Sequence, residues 1–165
     1  MKTLYCCRHA KSSWSMHHLP DIDRPLNERG YGDAHQMAQQ FTLGQPNPTL
    51  LISSTATRAL STAMIFARHL QYNTAQIQLA PNLYESSVAH YLDLIACIDD
   101  AHEVVMLFGH NNVISDMVMT LTGFPISLAT AGLVKITFDL SNWTELYSSK
   151  GDLVYYKYPK QGTLS

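Results

Sequence analysis

Apolar residues fall along this chain in two rhythms that alternate: short unbroken runs, and sets spaced by three or four. Thr3-Leu4-Tyr5-Cys6-Cys7 is a run that stops at Arg8-His9 and reads as a buried strand opening into a loop. Residues 10–26 are rich in Ser, His, Asp and Pro without sustained period, a long loop of a kind that is often functional. Asn27 stands where a helix cap belongs, and Ala34, Met37, Ala38 and Phe41 follow at helical spacing until Gly44, Pro46 and Pro48 stop the helix.

The alternation continues. Thr49-Leu50-Leu51-Ile52-Ser53 is the next strand, and Ala56, Ala59, Leu60, Ala63, Ala67 and Leu70 mark a second amphipathic helix. Residues 76–80 suggest a short strand, and Val88, Tyr91, Leu92 and Ile95 a third helix. Val104-Val105-Met106-Leu107-Phe108 is the clearest buried strand; it runs through Gly109-His110-Asn111-Asn112 into a helix with Ile114, Met117, Val118 and Leu121 on one face. Leu133–Leu140 and Leu153–Tyr158 read as β segments, joined by a stretch with room for one helical turn. The order β-α-β-α-β-α-β-α-β-β implies an α/β fold: a three-layer α/β/α sandwich on a mostly parallel sheet with an antiparallel edge.

Length and composition narrow the class. With 165 residues, 46% hydrophobic and 15% charged, residues 1–165 suit one globular domain with a real core. A net charge of −2 without a Lys/Arg cluster argues against nucleic acid as a partner, and no apolar stretch approaches the roughly 20 residues of a membrane span. The first residues reach Arg8 before a signal-peptide core could form, so the cytoplasm is the expected compartment. Cys6, Cys7 and Cys97 lack metal or redox spacing, and adjacency on a strand sends Cys6 and Cys7 to opposite faces as buried thiols. The vicinal pair His17-His18 could bind a metal but reads more readily as exposed polar loop, and no cofactor is expected.

The chemistry gathers at strand ends, where open α/β sheets bind ligands. Strand one ends on Arg8-His9, strand two just before Arg58, and strand four on Gly109-His110. Arg8 and Arg58 can each give paired N–H bonds to phosphate. A cation in the first turn of a helix, as at Arg58, is normally disfavoured and makes sense if it shares an anion with the helix end. Asn111 or Asn112 can cap the helix after His110 and aim further donors at the same point. Two histidines near two arginines cannot easily both be charged, which favours a neutral imidazole at one of them.

These residues resemble the signatures of the histidine phosphatase superfamily. Arg8-His9-Ala10 looks like its first signature, Ser53-Ser54 through Thr57-Arg58-Ala59 with Thr62-Ala63 its second, and Gly109-His110-Asn111 its third, in the family's order. The longer run Arg8-His9-Ala10-Lys11-Ser12-Ser13-Trp14, with Asp23-Arg24-Pro25-Leu26 and Gly30, is closest to the SixA-like phosphohistidine phosphatases. The resemblance implies a phosphoglycerate mutase-like fold and a metal-independent hydrolase. His9 would be the nucleophile that becomes phosphorylated, with Arg8, Arg58 and His110 holding the non-bridging oxygens.

It also implies supporting residues. Glu85 matches the placement of a family proton donor, and reads equally as a solvated loop residue. Arg24 either contacts phosphate or orients the loop through Asp21 or Asp23, with a surface ion pair as the plain alternative. Ser12 and Ser15 lie where relatives place phosphate-binding side chains, though Ser is also common in loops. Trp14 is a loop anchor or a wall of the cleft.

Short connections between the signatures leave no room for a cap, so the cleft should be open and suited to a phosphorylated side chain on a protein partner. The expected activity is therefore protein phosphohistidine phosphatase. A small-molecule phosphomonoesterase is the alternative, and a non-catalytic phosphate-binding scaffold a more distant one. The tyrosines of the tail, Tyr147, Tyr155, Tyr156 and Tyr158, cover the sheet edge or core, and nothing in the sequence fixes an oligomeric state.

Overall fold

The computed structural model describes residues 1–159. Its strands are β1 (Lys2–Arg8), β2 (Leu50–Ser53), β3 (Gln78–Leu79), β4 (Val104–Gly109), β5 (Leu133–Phe138) and β6 (Asp152–Lys157), and its α-helices are α1 (Glu28–Phe41), α2 (Thr57–His69), α3 (Val88–Ala96) and α4 (Val113–Thr122). The strands form one sheet in the order β3-β2-β4-β1-β5-β6. Pairing is parallel from β3 through β1 and antiparallel between β1, β5 and β6. The α/β sandwich with an antiparallel edge therefore stands as the sequence implies.

The alternation of side chains along β1 divides the core. Leu4 and Cys6 join a cluster with Tyr91, Ile95, Ile114, Met117 and Trp143, beneath α3 and α4. Tyr5 and Cys7 join the opposite cluster with Met37, Phe41, Ile65, Phe66 and Phe108, beneath α1 and α2. Burial on both faces is why β1 and β4 read as continuous apolar runs rather than alternating ones. Cys6 and Cys7 are free and fully buried, and burial raises both thiols far above their ordinary value. They are packing residues.

Local chemistry sets the boundaries. The Asn27 side chain accepts from the Gly30 N–H at 2.8 Å, closing the start of α1 as expected of a cap. Gly123 ends α4 with φ 80, a left-handed geometry that glycine adopts without penalty. The stretch between β5 and β6 holds a 3-10 segment at Trp143–Ser148, capped by a reciprocal Asn142–Glu145 box. The loop after β1 is less irregular than its composition suggests. It contains a 3-10 turn at Asp21–Asp23 and folds back through an isolated bridge between Ser12 and Leu26.

Candidate active site

Strand register brings the distant signatures together. In β1 and β4 Arg8 pairs with Gly109, and in β2 and β4 Ser53 pairs with Phe108, so three parallel strands end level. The ladder extends one residue further: His9 N–H donates to the Gly109 carbonyl at 3.0 Å and Ser54 N–H to the Phe108 carbonyl at 3.1 Å. His9, Ser54 and His110 therefore leave the sheet side by side. Above them lies a cleft of about 530 Å³ whose lining includes Arg8, His9, Arg58 and His110, with Arg24, Asp21 and Trp14 from the long loop and Tyr84 and Glu85 from the β3–α3 connection.

The orientation of His9 follows from one hydrogen bond. Its Nδ1 lies 2.7 Å from the Ala10 carbonyl oxygen. A carbonyl can only accept, so Nδ1 carries the proton and Nε2 keeps the lone pair. Ala10 is fixed in turn, because its N–H donates to Thr62 Oγ1 at 3.0 Å while the Thr62 hydroxyl donates to the Arg58 carbonyl at 2.8 Å. Burial lowers the His9 pKa to about 3, against the opposing Ala10 hydrogen bond and with smaller contributions from the charges of His110, Arg58 and Arg8. Burial, then Arg58 and Arg8, lower His110 to about 4. Both rings are thus neutral near pH 7. Repulsion from the arginines, the cause suggested by the sequence, is secondary to desolvation.

His110 is held by two side chains, Tyr91 and Ser54. Its N–H donates to the Tyr91 hydroxyl at 3.2 Å, and that hydroxyl donates to the Leu83 carbonyl at 3.0 Å. Its Nε2 lies 2.8 Å from Ser54 Oγ. Gly109 is required at this point, since an added Cβ would meet the fully buried Tyr91 ring, 2.9 Å from its Cε1.

The arginines converge from three elements. Arg8, at the end of β1, donates through a terminal nitrogen to the Leu128 carbonyl at 2.7 Å. Arg58, in the first turn of α2, donates to the Asp21 main-chain oxygen at 2.7 Å and to Asp21 Oδ2 at 3.0 Å. Among the described residues, three buried side-chain nitrogens nevertheless have no hydrogen-bond partner: Arg8 Nε, Arg58 Nε and His110 Nδ1. All three belong to side chains lining the same cleft. Buried polar groups are rarely left unsatisfied, so their concentration around one imidazole marks a place where an anion would be bound.

The remaining residues singled out in the sequence separate here. Arg24 lies beside the cleft, donating to Asp21 Oδ1 at 2.9 Å and to Ser12 Oγ at 2.7 Å, with its guanidinium 3.6 Å from the Trp14 ring centroid. Its ion pair is thus with Asp21, not Asp23, and it is buried rather than on the surface. Ser12 is buried as the partner of Arg24. Ser15 is exposed, bonds to Ser13 and does not line the cleft. Glu85 lines the cleft in a left-handed backbone conformation, φ 48, uncommon for a residue with a side chain.

The expected asparagine cap is absent. Asn112 holds the cap position of α4 without a side-chain cap bond, and the Asn111 side-chain Oδ1 accepts from the Ser115 hydroxyl instead. Tyr84 and Tyr91 carried no sequence signal that set them apart from other loop and helix residues, and Ser54 was legible only as part of the second signature, not as a partner of His110.

A model of the histidine phosphatase superfamily, branch 1, matches residues 4–96, a segment that takes in Arg8, His9, Arg58 and Glu85. The chain belongs to the histidine phosphatase superfamily. Among solved structures, this histidine phosphatase is similar to the presumed phosphohistidine phosphatase SixA of Agrobacterium tumefaciens, with a TM-score of 0.81, 27% identity and coverage of 96% of this chain and 98% of that one. It shares its fold with a mycobacterial glucosyl-3-phosphoglycerate phosphatase, with a TM-score of 0.71, 15% identity and coverage of 96% of this chain and 99% of that one. An uncharacterized chloroplastic protein of Arabidopsis thaliana is 28% identical over 158 residues, 91% of this chain and 72% of that protein. The protein is a phosphatase, a hydrolase with the phosphoglycerate mutase-like fold. Among the described residues no helix is long and apolar enough to cross a membrane.

Proposed function

We propose that residues 1–165 form one histidine phosphatase domain that removes the phosphoryl group from phosphohistidine on a partner protein, with His9 as the covalent nucleophile. The observation that carries this reading is the His9 Nδ1–Ala10 bond of 2.7 Å, which commits the lone pair to Nε2 in a ring that stays neutral near pH 7.

In the first half-reaction His9 Nε2 attacks phosphorus. A bond from Nε2 to phosphorus forms as the bond from phosphorus to the substrate imidazole nitrogen breaks, and that nitrogen takes up a proton. In the second, the oxygen of water adds to phosphorus and the Nε2–phosphorus bond breaks. Inorganic phosphate leaves, one proton from water is released, and Nε2 regains its lone pair. Arg8 and Arg58 supply positive charge and donors for the non-bridging oxygens through both steps, and His110 can add a donor in the tautomer with the proton on Nδ1. Glu85, which lines the cleft, would give a proton to a leaving group. A leaving imidazole needs that help less than an alkoxide does.

Support for a protein substrate comes from the access to the site. No inserted cap domain separates the signatures, and exposed Trp14 and Glu85 stand on opposite connections at the mouth. A cytoplasmic setting agrees with three free cysteines. The test compares kcat/KM on a phosphohistidine-bearing protein with that on sugar phosphates and phosphoserine. Faster turnover of the protein is expected; faster turnover of a small phosphoester would replace the substrate assignment with a small-molecule phosphomonoesterase.

A further inference from the structure

A single loop carboxylate organises two of the arginines around His9. Asp21 Oδ1 accepts from Arg24 Nε at 2.9 Å, and Oδ2 accepts from Arg58 at 3.0 Å and from the Tyr84 hydroxyl at 2.7 Å. Its main-chain oxygen takes the other terminal nitrogen of Arg58 at 2.7 Å. Both terminal nitrogens of Arg58 are therefore fixed by one residue, which sets the guanidinium plane and leaves Nε as the unpartnered donor. The Arg58 side chain is only 8% exposed, whereas that of Asp21 is 47% exposed. The buried cation is thus oriented from outside, by a residue reaching in from the loop. Tyr84 approaches Asp21 from the β3–α3 connection, so the long loop, α2 and that connection meet at one carboxylate.

We propose that Asp21 is a positioning residue of the phosphate site: its carboxylate and main-chain oxygen hold Arg58 and Arg24 in the orientation in which phosphate receives them. The inference rests on the reading of the cleft as a phosphate site. The Tyr84 hydrogen bond, followed by those of Arg24 and Arg58, holds the Asp21 carboxyl well below the usual carboxylate range, so the link persists at any pH where the enzyme would work. Burial and Asp21 in turn raise the Tyr84 hydroxyl to about 12, which keeps it a donor.

The sign of one binding change separates positioning from simple charge. Asp21 is an anion beside an anion site, so by Coulomb's law alone its removal tightens phosphate binding. Loss of orientation does the reverse. Inorganic phosphate is titrated calorimetrically into wild type, Asp21→Asn and Tyr84→Phe, with thermal unfolding to confirm that each variant is folded. Asp21→Asn should bind phosphate more weakly by roughly tenfold, the equivalent of one charge-assisted hydrogen bond. Tyr84→Phe, which changes no charge and removes one of the bonds to Asp21, should weaken binding by a smaller factor. Equal or tighter binding by Asp21→Asn, or by Tyr84→Phe should the first variant not fold, overturns the inference and leaves the phosphate site standing. A folded wild type that binds no phosphate overturns the site and the inference together.

Discussion

The His9 and His110 rings lie 5.2 Å apart, centroid to centroid, both buried and both depressed in pKa, to about 3 and about 4. The unfolded chain binds protons at these residues near the ordinary value of 6.5, and the folded chain does not. Stability from this pair is therefore fully present above about pH 6.5 and is lost as pH falls towards 4 and 3. Denaturant unfolding across that window should show the decline, and His9→Asn with His110→Asn should flatten it. A wild-type stability constant from pH 7 to pH 4, or an unchanged slope in the double variant, would contradict the assignment of two buried neutral imidazoles.

Thr62 connects the backbone beside His9, the proposed nucleophile, to the Arg58 helix, accepting from Ala10 N–H and donating to the Arg58 carbonyl. Thr62→Val keeps the shape and leaves a buried N–H without an acceptor, at a cost of about 1–3 kcal/mol. The midpoint of urea unfolding should fall by the corresponding amount, and kcat with it, because the Ala10 carbonyl that orients His9 loses its anchor. An unchanged midpoint would show that Ala10 finds another partner.

Gly30 lies in the first turn of α1, where alanine would ordinarily stabilise a helix by about 1 kcal/mol. Here an added Cβ would collide with the Lys11 carbonyl oxygen and sit 2.9 Å from its carbon. The helix packs directly on the backbone two residues beyond His9. Gly30→Ala should therefore destabilise, by about 1–3 kcal/mol, and lower activity. A stabilised, fully active variant would mean that the loop yields freely.

Glu85 divides the substrate classes. If it donates a proton to the leaving group, Glu85→Gln should cost on the order of 10²-fold or more in kcat on a phosphoester, whose alkoxide needs the proton. The loss on phosphohistidine should be distinctly smaller. Steady-state kinetics on both substrates checks this, and equal losses would remove Glu85 from the role of acid.

Much of this molecule is legible in its sequence because its signals are local. The apolar runs at Thr3–Cys7 and Val104–Phe108, the Asn27 cap and the helical spacing from Ala34 to Phe41 all name elements that exist. The convergence of Arg8, His9, Arg58 and His110 follows once three parallel strands end level, since strand ends are where such sheets place their ligands. What stayed hidden depends on contacts between distant segments. Asp21 could be recognised as a partner for Arg24, three residues away, but not for Arg58 or Tyr84, 37 and 63 residues away. Ser12 and Ser15 looked equivalent in a loop without period. The bridge from Ser12 to Leu26 draws one inward and leaves the other in solvent.

In the proposed mechanism His9 carries the phosphoryl group during turnover. Phosphohistidine protein labelled with radioactive phosphate is mixed with excess enzyme and stopped on the millisecond scale in denaturing alkali, where the nitrogen–phosphorus bond survives. Label is expected on the wild-type chain, mapped to the peptide containing His9, appearing and decaying fast enough to lie on the path to inorganic phosphate, and none on His9→Ala. Turnover without label on the wild type, or equal label on His9→Ala, would contradict it.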